Sequence, residues 1–137
     1  MSTEFFPWKD TYSVSVIEID NQHRALTQML NELYDSFMKN EHEERLGEIL
    51  SRLSNYAVIH FETEENYFSL FGYAKRTAHI QEHNDFTDKI KAFRKEFDKN
   101  SSALTYKLVN FLREWLMNHI QVSDKEYVSC FKENGLR

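Results

Sequence analysis

Five of the six histidines in this chain recur with two carboxylates at spacings that a helix would gather: His23, His60 with Glu64, His79 with His83, and His119 with Asp124. Residues four apart on a helix differ in direction by about 40°, so His60 and Glu64 reach one centre, as do His79 and His83. Five imidazoles and two carboxylates make a ligand set for two metal ions. Those donors suit iron, zinc, copper or manganese, whereas calcium or magnesium would be held by oxygen. An isolated pair would say little. Here every proposed helix carries its ligand on the face whose apolar spacing marks it as inside, where unpartnered imidazoles and carboxylates cost several kcal/mol per group. A di-metal centre within a helix bundle removes that cost.

The elements that must carry these donors are legible as amphipathic periods. Residues 1–19 hold the chain's single proline, Pro7, and a β-branched alternation at Val14, Val16 and Ile17, which reads as an extended arm. Asp20 is the expected N-cap of the first helix, whose inner face carries His23, Leu26, Met29, Leu30, Leu33, Tyr34 and Phe37 at intervals of three and four. The pattern stops near Lys39 and Asn40. A second begins after residues 41–44 with Leu46, Ile49, Leu50, Leu53, Ala57, His60, Phe61 and Phe68, and Gly72 supplies its stop. The third runs from about Lys75 to Phe97 through His79, His83, Phe86, Ile90 and Phe93. Residues 98–102 read as a polar connection. The fourth shows Leu104, Leu108, Phe111, Leu112, Trp115, Leu116 and His119, followed by a short terminal helix from Asp124 to about Lys132.

Short links between long amphipathic helices give an all-α, antiparallel up-down four-helix bundle with an extended N-terminal arm and a short C-terminal helix. The 137 residues are expected to form one domain, long enough to bury roughly 68% of the surface the unfolded chain exposes.

The spacing of His119 and Asp124 constrains the fourth helix. Five residues turn an ideal α-helix through about 140° and send the two side chains apart. If both are ligands, the helix must loosen, bulge or break between Ile120 and Ser123. His42, among Glu41, Glu43 and Glu44, lies off any apolar face and reads as solvated. Glu62, Glu65 and Glu82 neighbour the ligands but point aside, as groups at the surface or behind the ligands.

Composition narrows the class. Three glycines and one proline are too few for a turn-rich β-sandwich. A net charge of −5 and a pI near 5.7 give no footprint for nucleic acid or an anionic membrane. Cys130 is alone, so no intramolecular disulfide can form, which fits a reducing compartment. No apolar stretch could span a bilayer, and the N-terminus has no signal-peptide pattern. The expectation is a soluble cytoplasmic protein.

The string Asp20-x-x-His23, His60-x-x-x-Glu64, His79-x-x-x-His83 and His119-x-x-x-x-Asp124-x-x-Tyr127 resembles the hemerythrins, most closely the single-domain bacterial ones. It extends from Trp8 to about Tyr127. The resemblance implies two non-haem iron ions joined by an oxo or hydroxo bridge, with Glu64 and Asp124 bridging, His79, His83 and His119 completing one iron, and His23 and His60 holding the other. That second iron is one ligand short, and in the family the open position takes O2. The family comparison also implies an apolar O2 pocket walled by Leu26, Phe61, Trp115, Leu116 and Ile120, with Tyr127 approaching it; each of these is equally suited to ordinary packing. Trp8 is expected to pin the arm to the bundle.

The residues agree with binding rather than oxidation. Ferritin-like oxidases use Glu-x-x-His motifs and four carboxylates, and no Glu stands three before any His here. With imidazoles replacing carboxylates, less negative charge is present to stabilise highly oxidised iron. Reversible O2 binding for storage, delivery or scavenging is the leading reading, and the protein is not read as an enzyme. Three others stand beside it: an oxygen or redox sensor acting on a separate oxygen-accepting or signalling protein; a di-iron peroxidase, oxidase or nitric-oxide-handling protein; and a structural bundle binding zinc adventitiously. No residue is committed to a substrate as acid or base, and no linker leads to a signalling domain.

Overall fold

The computed structural model of the chain describes residues 6–40, 43–99 and 106–137. Helix α1 spans Ile17–Met38, α2 Glu43–Phe71, α3 Arg76–Lys99, α4 Tyr106–Asn118 and α5 Val128–Glu133. Between α4 and α5 run a π-helical turn, His119–Ser123, and a 3-10 turn, Asp124–Tyr127. There is no strand among the described residues, and none of their helices is long and apolar enough to cross a membrane. His42, Phe5, Leu104 and most of the expected polar connection lie outside the described residues.

Helix α1 packs beside α2 and α4, and α2 beside α3, giving the all-α four-helix bundle. The turn from α2 to α3 is set by Gly72, whose φ of +62° suits glycine, while the Tyr73 N–H closes the helix end on the Phe68 carbonyl at 3.0 Å.

Two apolar clusters fill the interior. The larger includes Leu26, Leu30, Leu53, Phe61, Phe86, Leu112, Leu116 and Ile120; the smaller holds Val14, Val16, Ile19, Phe68, Tyr73, Tyr127 and Phe131. Along the helices the metal-ligand candidates other than His60, which lies among the larger cluster, fall between the two. His23 lies between Ile19 and Leu26, Glu64 between Phe61 and Phe68, His79 and His83 between Tyr73 and Phe86, and His119 and Asp124 between Leu116 and Tyr127. A polar layer is thus sealed by apolar side chains above and below. Each buried Leu, Ile or Phe contributes about 1.5–3 kcal/mol to holding it there.

The arm corrects one expectation. Helix α1 starts at Ile17, three residues before Asp20, because the backbone leaves the extended region at Val16 and the Asp20 N–H already meets the Val16 carbonyl at 2.8 Å. The Asp20 carboxylate does accept hydrogen bonds, but from the arm: Ser13 Oγ at 2.5 Å and the Val14 N–H at 2.8 Å. The Lys125 ammonium, from the turn after the π segment, donates to the Ser13 carbonyl. The arm also contains a short 3-10 turn, Asp10–Tyr12. Trp8 meets Tyr12 edge-on at 5.5 Å and lies under the Arg24 guanidinium at 5.0 Å, which joins the arm to α1.

Phe6 and Tyr73 are buried. Asn31 takes the Phe6 backbone in a two-way clasp, Phe6 N–H to Oδ1 at 2.6 Å and Nδ2 to the Phe6 carbonyl at 3.0 Å. Phe68 and Tyr127 cover Tyr73, and Phe71 is half-buried against Phe131.

Candidate metal centre

All seven predicted donors converge. Helix α1 presents His23, α2 His60 and Glu64, α3 His79 and His83, the π turn His119 and the 3-10 turn Asp124, and all are buried. They form two groups: Glu64, His79, His83 and His119; and His23, His60, Glu64 and Asp124. Within each group the donor atoms lie within 4.8 Å of one another. Glu64 belongs to both. Asp124 spans them as well, with Oδ2 2.9 Å from His23 Nε2 and Oδ1 3.0 Å from Nε2 of both His79 and His119.

The π turn is what makes this possible. The Asp124 N–H donates to the His119 carbonyl five residues back, so the turn carries the extra residue that the spacing requires. Asp124 therefore swings back onto the side of His119.

Outer hydrogen bonds fix which way three of the five imidazoles face. His60 Nδ1 meets Gln22 Oε1 at 2.7 Å, His83 Nδ1 meets Glu65 Oε2 at 2.9 Å, and His119 Nδ1 meets Glu82 Oε1 at 3.2 Å. Each partner oxygen can only accept, so Nδ1 carries the proton, and a neutral ring then points the Nε2 lone pair inward. His83 and His119 bring Nε2 atoms within 3.2 Å of each other, and His23 and His60 within 3.1 Å. Lone pairs so placed repel unless a proton or cation lies between them. Both oxygens of Glu64, both of Asp124 and Nε2 of His79 are buried without a well-aligned hydrogen bond, carboxylate oxygen and imidazole nitrogen facing each other at 2.9–3.1 Å. Seven converging donors, with unsatisfied atoms on Glu64, Asp124 and His79, fit a pair of bound metal ions and have no comparable account as a packed core.

The buried charges act strongly on one another. Burial, then the charge on Asp124, raises the Glu64 carboxyl above its usual range, whereas Asp124 is held well below its own by the cationic His119 and three histidine contacts that outweigh burial. Burial would lower His119, but Asp124 and Glu82 push it up to about 10. Its hydrogen bond to Glu82, assisted by Ser123 Oγ at 2.6 Å, holds that carboxylate at about 2.

Gln22 was not singled out by the sequence, because a polar residue beside a ligand more often faces water. Its signal is visible only in three dimensions, where Thr63 Oγ1 also meets its Nε2 at 3.1 Å. Glu65 and Glu82 stand behind the ligands, and Glu62 is exposed.

The proposed pocket residues divide. Leu26, Phe61, Leu116 and Ile120 belong to the larger cluster and Trp115 packs against it. Phe61 stacks on the His83 ring at 3.9 Å, and Trp115 on His119 at 4.4 Å. Tyr127 comes from the smaller cluster, 5.7 Å from the His79 ring, and its fully buried hydroxyl is pushed well above the ordinary range by burial and by the charges of Asp124 and Glu64.

A four-helix bundle with seven histidine and carboxylate donors sealed between its apolar clusters defines a helical metal-binding domain. The family description "Hemerythrin HHE cation binding domain" matches residues 15–131. The bacteriohemerythrin of Clostridium acetobutylicum is 34% identical over 128 residues, covering 90% of this chain and 98% of that protein. That of Methylococcus capsulatus is 33% identical over 111 residues, covering 81% and 84%. A wild-type hemerythrin crystal structure superposes with a TM-score of 0.86 at 30% identity, covering 92% of this chain and 97% of that one. The chain belongs to the hemerythrin family, a family of di-iron, O2-binding proteins.

Proposed function

We propose that the chain works as one hemerythrin-like domain that binds O2 reversibly at two non-haem irons, for storage, delivery or scavenging in the cytoplasm, and not as an enzyme. The observation that carries this reading is the division of the donors: three imidazoles on one side of Glu64 and two on the other, with Glu64 in both groups and Asp124 within 3.0 Å of histidines from each. When bound, two non-haem irons with an oxo or hydroxo bridge would supply the reversible two-electron redox chemistry that O2 binding needs.

The chain's own residues do the rest. His79, His83 and His119 would hold one iron and His23 and His60 the other, with Glu64 and Asp124 serving both. Gln22, Glu65 and Glu82 orient His60, His83 and His119 by holding the proton on Nδ1. Leu26, Phe61, Trp115, Leu116 and Ile120 exclude water, which keeps protons away from bound oxygen. Tyr127 closes the layer from the opposite cluster. O2 and an oxygen-accepting or signalling protein would then be the partners.

An oxygen electrode tests the reading. Anaerobically reduced, iron-loaded protein should take up one O2 for each iron pair and return it under argon; uptake that is never returned would contradict a carrier.

A further inference from the structure

A groove of about 310 Å³ opens between α2 and α3, outside the metal layer. Residues at helical intervals line it: Ser51, Asn55 and Val58 from α2 face Phe86, Ile90 and Lys91 from α3. Phe86 and Ile90 are buried at its floor, while Val58 remains 41% exposed above them. Ser54 and Thr87, also in the lining, turn their hydroxyls onto carbonyls of their own helices, at 2.8 Å to Leu50 and 3.0 Å to His83. They leave mainly carbon facing the groove.

The charge of the lining runs against that of the chain. Acids outnumber bases overall, at a net −5, yet among the described residues the groove has two cations and no carboxylate. Arg94 is anchored, with Nη1 donating to the Gly47 carbonyl at 3.0 Å and to Ser51 Oγ at 2.8 Å. Lys91 has no ion pair or hydrogen bond among the described residues, although it stands on the rim of an apolar trough. An apolar floor with fixed positive charge at its edge is complementary to an amphiphile carrying one negative headgroup.

We propose that this groove binds a small organic carboxylate with a short hydrocarbon chain, the carboxylate at Lys91 and the chain along Val58, Phe86 and Ile90. At about 30 Å³ per water in the liquid, the volume suits an occupant of about ten non-hydrogen atoms. The floor is shared with the metal layer's wall. Phe86 meets Phe61 edge-on at 5.6 Å and Trp115 at 4.4 Å, the two rings that stack on His83 and His119. An occupant on Phe86 sits one aromatic ring from two predicted iron ligands.

The site needs no metal, so its failure is separable from failure of the oxygen-binding reading. Octanoate titrated into the chain, with and without iron, is followed by calorimetry and by amide shifts. Saturable binding of one octanoate is expected, with shifts centred on residues 51–58 and 86–94. Lys91→Glu should weaken it by about tenfold or more, the loss of one charge-assisted contact. Val58→Trp should fill the trough and abolish binding, and octanol should bind more weakly than octanoate. No saturable binding by the wild-type chain, or binding indifferent to both substitutions, would overturn the proposal.

Discussion

His119 and Asp124 stand five residues apart in the chain, yet Nε2 of one lies 3.0 Å from Oδ1 of the other. The π turn brings them together by holding one residue more than an α-helical turn would. Deleting Val122, an exposed member of that turn, should rotate everything beyond it by about 100° and carry Asp124 away from His79 and His119. Iron bound per chain should fall while helical circular dichroism is largely kept. Val122→Ala keeps the residue count and should leave iron content unchanged.

Glu64 has opposite effects with and without metal. In the iron-loaded protein Glu64→Ala removes a donor shared by both groups, and the melting temperature should drop toward that of the metal-free chain. In the metal-free chain the same change removes a buried carboxyl facing Asp124, and stability should hold or rise. His83→Ala should likewise abolish the iron-dependent stabilisation. Thermal melts of each variant, with and without iron, read both signs.

Much of this was legible in the chain. Apolar periods placed the four long helices, and the awkward interval between His119 and Asp124 called for a break that lies at residues 119–123. Asp20 misled, because a carboxylate near a helix start can cap the helix or tie down the strand before it, and only the positions of Ser13 and Val14 decide between them. The burial of Phe6 was not legible, because its cover, Asn31, lies 25 residues away. Gln22 escaped notice for the same reason, its partner His60 being 38 residues away.

Glu82 tests the role of the groups behind the ligands. It accepts from His119 Nδ1 at 3.2 Å and Ser123 Oγ at 2.6 Å without belonging to either donor group. Glu82→Ala should weaken iron binding by about 10–100-fold while the chain still folds. Competition with a chelator measures the change; an unaltered affinity would mean that ring orientation is set by packing on Trp115 alone.

Acid should act through two histidines in the metal-free chain. Burial holds His60 down to about 3, and burial with the neighbouring charge of His119 holds His83 down to about 4, against an ordinary 6.5. Below 6.5 the unfolded chain takes up protons that the folded chain refuses, so stability present above 6.5 is lost progressively toward 4. His119, raised to about 10, has the opposite sign and another window: its contribution is full below 6.5 and disappears as pH rises through 10. Denaturant midpoints should therefore fall between pH 6.5 and 4, and His60→Gln should flatten that fall.

The visible absorption spectrum of the iron-loaded protein, recorded anaerobically after reduction, then under oxygen, then after oxygen is removed, tests the central claim most directly. Reversible binding predicts a band that appears with oxygen and vanishes with its removal, through repeated cycles. A single passage to a stable ferric spectrum that oxygen removal does not reverse would contradict it.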